Sequence, residues 1–370
     1  MAVQDGTGLI GGRLGLRPAA AWRGGGILVL LAAAAVFPLV FTNPLVTTIG
    51  VDTMIFVGAA SAWNIFSGYS GYISLAHAVF FGCGAYTAAI ASNDWQLNGN
   101  VVFATLPLAG VIAAGVAVPF GLVTLRVRRH TFLVVTIAIF FIFQLMAYNF
   151  SFTGGTSGLS APFLNWLPQS YNNPFYYLAL AIAVATFALS WLIRRSRFGL
   201  QLRAIRDDEG RTRSLGVPAM RVKLSALVIS AFVIGMLGAL WFYFIAQVLP
   251  ESGFDPAFDL SIALMAFLGG LGTVAGPVLG ALIIEPAQQY LTQQFPNAFL
   301  SQIALGAVFL AVIALMPRGL IPTVAERITS WRAKRSNRVP ADADVAGPGK
   351  AVPAAEPGPA ADASARENSR

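Results

Sequence analysis

The sequence predicts an all-α integral membrane protein with about eight transmembrane helices and one re-entrant element, and three observations carry that prediction. Hydrophobic residues make up 56% of the chain and charged residues only 11%, far below the roughly 25% charged residues of soluble domains. The 24 Lys and Arg residues fall in four clusters, Arg13–Arg23, Arg126–Arg129, Arg194–Lys223 and Arg318–Arg370. The stretches between them, 24–125, 130–193 and 224–317, hold none and are long, apolar and aromatic. Soluble domains scatter cations over their surface, whereas polytopic membrane proteins keep them in cytoplasmic loops.

A helix crossing the hydrocarbon needs about 20 mostly apolar residues. In order, the candidates are 26–42, 45–66, 72–91, 101–125, 131–150, 174–193, 224–248, 260–284 and 299–316. Turn-rich connections separate them at Ser67–Gly71, Ser92–Asn100, Ser151–Asn173 and Pro250–Asp259. If every cation cluster is cytoplasmic, each cation-free stretch holds an even number of crossings. The first two stretches hold four and two, but 224–317 holds three. The run at 260–284 is the exception, because Gly269–Pro277 ("GGLGTVAGP") interrupts it and such a run breaks a helix. It is expected to enter from outside, turn near Gly269, Gly270, Gly272, Gly276 and Pro277, and return. Backbone of that kind at membrane depth must be covered by protein or a polar cavity.

That count places both termini in the cytoplasm. The domain plan is a cytoplasmic N-terminal segment (1–25), a transmembrane domain (26–320) carrying a cytoplasmic loop at 194–223, and a cytoplasmic tail (321–370). The tail is Ala/Pro/Gly-rich and expected to be disordered from about residue 341. Asp94, Glu251, Asp255 and Asp259 all fall in the outer segments, and Asp52 and Glu285 are placed near the ends of spans. An apolar run follows Arg13, Arg17 and Arg23 without a small-residue cleavage site, so it reads as an uncleaved first span. The +8 net charge lies at span ends and suits topogenic anchoring and anionic lipid better than nucleic acid. Cys83 is the one cysteine and His77 and His130 the only histidines, which leaves no structural zinc set.

Four segments carry candidate chemistry. In Asn64–Ile90, Gly68 and Gly71 make a turn and polar Ser74 and His77 enter an apolar helix. They face either a packing interface or a translocation path, since intramembrane polar groups are costly without a role. Ser151–Ser160 ("SFTGGTSGLS"), with Thr153, is an outward loop that is either a gate or a plain connector, and no Lys follows its glycines to make a P-loop. Arg195–Val217 is the most charged part of the body of the chain. It reads as a solvated loop or as an amphipathic helix docking into a soluble partner. Asp207, Asp208 and Glu209 lack the second carboxylate cluster that a magnesium–diphosphate site wants. Gly270, Gly272 and Ala275 match a dinucleotide fingerprint, but no βαβ context surrounds them.

Taken together and in order, these segments resemble the permease subunits of branched-chain amino-acid ABC importers, of the LivM type. The resemblance rests on Gly68–Tyr86, Thr153–Ser160, Gly199–Glu209 with Leu215–Val217, Gly269–Gly280 and Pro317–Leu320. It implies an ABC importer permease fold, no enzymatic activity and a path for branched-chain amino acids in the cell inner membrane. It also implies a second homologous permease, two cytoplasmic ATPases that use ATP and magnesium, and an extracytoplasmic binding protein, with no cofactor in this chain. Gly199, Leu202, Arg203, Ala204, Arg206, Asp207, Glu209, Leu215 and Gly216 would form the ATPase-coupling segment, in which Gly210 is expected to break or shorten the helix. Ser74, His77 and Thr153 are the expected path residues. Urea or amide permeases, and a secondary carrier working without ATPases, are the alternatives. The scarcity of mid-membrane acids argues against ion coupling.

Overall fold

In the computed structural model the described residues are 32–41, 43–97, 99–127, 129–162 and 171–294, together with 303, 306, 307, 310, 319 and 320. The chain divides into units 1–325 and 326–370. The expected span at 299–316 and the tail from 321 lie almost wholly outside the described residues, and the first span lies partly outside them.

A helix over 32–40 (α1) leads to α2, Pro44–Trp63. Pro44 opens α2 and the Asn43 side chain accepts the Leu45 amide at 3.0 Å, the usual device for starting a helix. It runs on through a π-helical turn, Asn64–Gly68. After a break come α3, His77–Asp94; a 3₁₀ turn, Gly99–Ala104; α4, Thr105–Thr124; and α5, Arg129–Asn149. Two short 3₁₀ turns and the strand β1, Leu159–Ser160, form the next connection. Then follow α6, Asn172–Arg195; α7, Arg197–Asp207; α8, Glu209–Ser214; α9, Ala219–Ile245; and β2, Gln247–Val248. β2 pairs antiparallel with β1, Leu159 opposite Val248. The described part closes with α10, Pro250–Gly253; α11, Pro256–Gly269; and α12, Gly276–Gln294.

Among the described residues five segments are long and apolar enough to cross a membrane: Pro44–Gly68, Gly99–Thr124, Thr131–Asn149, Asn172–Arg195 and Ala219–Ile245. α9 is the hub, packed on α3, α4 and α2. Small residues permit that approach. A Cβ on Gly84 would run into the Gly235 backbone, one on Gly238 into the Phe81 carbonyl, and one on Gly235 into Ala113. α5 is peripheral and leaves Val134, Phe141, Ile142 and Leu145 exposed.

α11 and α12 pack on each other with Gly270–Ala275 between them, and a Cβ on Gly280 would enter the Met265 backbone. Fourteen helical residues in α11 rise about 21 Å, short of the roughly 30 Å hydrocarbon thickness.

The structure corrects several sequence expectations. The run at 72–91 is not one helix, because Gly71–Ala76 is non-helical. α7 does not break at Gly210. It ends at Asp208 (φ −154°, ψ 105°), whose side chain accepts the Arg211 amide at 3.1 Å and starts α8, with Gly210 inside. Asp259 is not in an outer loop: α11 starts earlier, at Pro256, with Asp255 accepting from Ala257, so Asp259 lies inside the helix and is 1% exposed. Glu285 is not at a helix end but buried within α12.

Candidate functional site

Gly71–Ala76 forms a strap with strand-like alternation: Tyr72, Ser74 and Ala76 are buried, Ile73 and Leu75 half-buried. Gly71 makes the turn out of the π segment at φ +73°, a conformation that favours glycine. The strap's backbone groups find partners in side chains. The Trp63 indole donates to the Ser74 carbonyl at 2.9 Å. The amides of Tyr72, Ser74 and Leu75 donate to the hydroxyls of Ser70, Ser67 and Thr136 at 3.3 to 3.4 Å. These long bonds satisfy the backbone without a helical ladder, as irregular backbone inside a membrane protein requires.

The strap delivers α3 to the interior. His77 Nε2 lies 3.0 Å from the Ser230 hydroxyl, and Ser230 donates to the Ala62 carbonyl at 2.7 Å. Ser230 is eleven residues into α9, so α3 begins about 16 Å from the first residue of α9. The Asp259 carboxylate accepts the Ala78 amide at 3.1 Å and thereby occupies the N-terminus of α3. Its other oxygen and His77 Nδ1 have no hydrogen-bond partner among the described residues.

The lower end of the strap meets the charged segment. Tyr72 Oη donates to Glu209, which also receives Lys223 Nζ at 2.9 Å and an Arg213 guanidinium nitrogen. Lys223 Nζ also stands 4.1 Å over the Tyr72 ring. Arg206 donates to the Gly68 carbonyl at 2.8 Å, and Arg129 to the Ile205 carbonyl at 2.7 Å. The cation clusters at 126–129 and 194–223 therefore sit together at one end of the bundle. Burial pushes the Glu209 carboxyl up, but the Tyr72, Lys223 and Arg213 contacts outweigh it and hold the group below its ordinary range. The hairpin turn reaches this level too. Asn64 donates to the Thr273 carbonyl and accepts the Gly272 amide, both at 2.8 Å. Gly269 and Gly276 are in backbone contact, and a Cβ on Gly272 would strike Arg206. Pro277 sits in the first turn of α12.

The expected coupling residues divide into two faces. Gly199 and Leu202 are buried beside Ile205, which was not among them, Arg206 and Glu209 turn inward, and Arg203 donates back to the Gly199 carbonyl. Ala204, Asp207, Leu215 and Gly216 are exposed, as are Arg197, Leu200 and Arg211. Ser74 and His77 are fully buried, and Thr153 donates to the Ala147 and Phe150 carbonyls at 2.7 Å. Among the described residues none of the three lines an open path: all are buried, Ser74 and Thr153 spend their hydroxyls on internal partners, and His77 engages Ser230 through Nε2 alone. Missed in the sequence were Tyr72, Asp259 and an acid pair: Gln289 donates to Glu285 at 3.0 Å and lies 3.4 Å from Asp52.

A family model described as the branched-chain amino acid transport system permease component matches residues 45–313. The high-affinity branched-chain amino acid transport system permease protein LivM of Salmonella typhimurium is 28% identical over 324 residues, covering 80% of this chain and 74% of that protein. The LivM protein of Escherichia coli gives the same identity and coverage. LivH of Salmonella typhimurium is 26% identical over 278 residues, 71% of this chain and 89% of the relative. No solved structure matches the chain with significance.

Proposed function

This chain belongs to the branched-chain amino acid transport permease family, and we propose that it is the LivM-type permease subunit of an ATP-driven importer carrying leucine, isoleucine and valine. It is a multi-pass membrane protein that pairs with a second, LivH-like permease. The finer reading adds two ATPases on the cation-rich end, which is then cytoplasmic, and a binding protein on the far side, in a cell inner membrane.

One observation supports the working mechanism: the α7–α8 segment holds Gly68 of the π-helical turn and Tyr72 of the strap while offering exposed residues of its own. Arg197, Leu200, Ala204 and Asp207 recur at helical spacing along α7 and are exposed, and beyond the break at Asp208 so are Arg211 and Leu215. Leu200 and Leu215 are 58% and 83% exposed, unusual for leucines in a charged segment and suited to a hydrophobic ATPase groove. Movement of that segment would pass through Arg206 and Glu209 to Gly68–Ala76, and so to α3. Ser74 and His77 then act as joint residues rather than walls, and the solute passes along the face shared with the second permease.

The test is reconstitution of the chain with its companion permease, ATPases and binding protein in liposomes. Leucine, isoleucine or valine uptake that requires ATP is the expected result. Flux by this chain alone, without ATP, would point to a self-sufficient carrier and refute the reading.

A further inference from the structure

The end of α4, the α8–α9 connection and the start of α9 enclose a surface-open cleft of about 680 Å³. Arg126, Arg213 and Arg221 line it with Leu125, Val217 and Met220. Arg213 is engaged by Glu209. Arg126 and Arg221 are exposed and have no acidic partner among the described residues. Two uncompensated guanidinium groups thus share a cleft with apolar walls.

What adjoins the cleft narrows its ligand. On α4, Val111, Gly115, Val118 and Leu122 are all exposed. Their spacing of four, three and four residues puts them on one helix face, and Arg126 stands two residues beyond the end of α4. From Val111 to Leu122 the stripe is uncharged for about 16 Å, with the arginine just past the helix end. Gly115 meets nothing within 4 Å, which leaves a shallow groove midway. An apolar track ending at paired cations fits a molecule with a hydrocarbon chain and an anionic head. A soluble phosphate would have no use for the track.

We propose that Arg126 and Arg221 form a headgroup site for an anionic phospholipid, with Arg213 at its edge and the acyl chains lying on the Val111–Leu122 stripe of α4. Arginine suits the role because its planar fork matches phosphate oxygens in pairs. The site is independent of which solute the subunit carries, so it stands or falls apart from the transport reading.

The test is native mass spectrometry of the purified full chain titrated with phosphatidylglycerol, phosphatidylcholine or glycerol 3-phosphate. Phosphatidylglycerol should be retained in preference to both. The Arg126→Gln/Arg221→Gln double variant should bind it about thirtyfold more weakly, the loss expected for two surface cations near a phosphate. The Arg126→Lys/Arg221→Lys chain keeps the charge but not the fork and should bind phosphatidylglycerol at a strength between the wild type and the Gln variant, still in preference to phosphatidylcholine, which separates charge recognition from misfolding. Equal retention of both lipids, binding of glycerol phosphate as tight as lipid, or an unaffected Gln variant overturns the proposal. So does a Gln variant that keeps its lipid preference but no longer co-purifies with the ATPases, which would make this face a protein interface.

Discussion

Replacing Tyr72 with Phe removes one oxygen and leaves everything else the ring does. Lys223 Nζ remains 4.1 Å over its face and Phe132 edge-on at 5.4 Å. What disappears is the hydroxyl that donates to Glu209. A hydrogen bond to a charged group contributes about 1.5–3 kcal/mol, and each 1.4 kcal/mol is about tenfold in an equilibrium. The charged segment should therefore hold the strap roughly ten to a hundred times less firmly. Glu209→Gln is the blunter tool, because it leaves Lys223, with 1% of its side chain exposed, buried without a counter-charge at about 3–5 kcal/mol. The assay is ATP hydrolysis and leucine uptake measured on the same proteoliposomes carrying the complete transporter. With Tyr72→Phe, hydrolysis should continue near the wild-type rate while uptake per ATP falls at least about tenfold. If hydrolysis and uptake decline by the same factor, or neither changes, the strap is not the link between them.

Asp259→Ala should lower the thermal midpoint in detergent, since losing a helix cap costs about 0.5–2 kcal/mol, whereas Asp259→Asn keeps an acceptor for the Ala78 amide and should lose less; equal loss in both would contradict the cap. Gly84→Val should abolish the monodisperse elution peak, because its side chain must displace the Gly235 backbone, whereas Gly115→Ala, with open space around it, should elute as wild type. For pH, the Glu209 carboxyl is held below its ordinary value of 4.5. Its contribution to stability is then present above that value and lost only as pH falls through the lower folded value. Melting of the purified chain should show no step from this group between about pH 8 and pH 5.5; a step inside that window that tracks the Glu209 carboxyl would show it is not so held.

Much of the architecture was legible because lipid imposes simple rules. Cation position along the chain grouped Arg126–Arg129 with Arg194–Lys223, and Arg129 indeed reaches the Ile205 carbonyl. The glycine run at 269–277 marked a turn between two helices. The break at Gly71–Ala76 was hidden, since residues 72–91 read as one apolar helix. What ends the helix there is tertiary: the Thr136 hydroxyl at the Leu75 amide and the Trp63 indole at the Ser74 carbonyl. Asp259 was misplaced although the signal existed, for Asp255-Pro256 is a helix start that puts Asp259 within the helix. The inward turn of Glu209 was beyond reach, because helix spacing orders side chains around an axis without saying which side another helix will cover.

The strap also limits the kind of motion this subunit can make. Six residues occupy about 9 Å when coiled and up to about 20 Å when drawn out, while the helices on either side keep fixed lengths. A change at the charged end is thus taken up by a few backbone torsions in one short joint. α2 and α3 are left to swing as intact rods, and no main-chain ladder has to melt for them to do so.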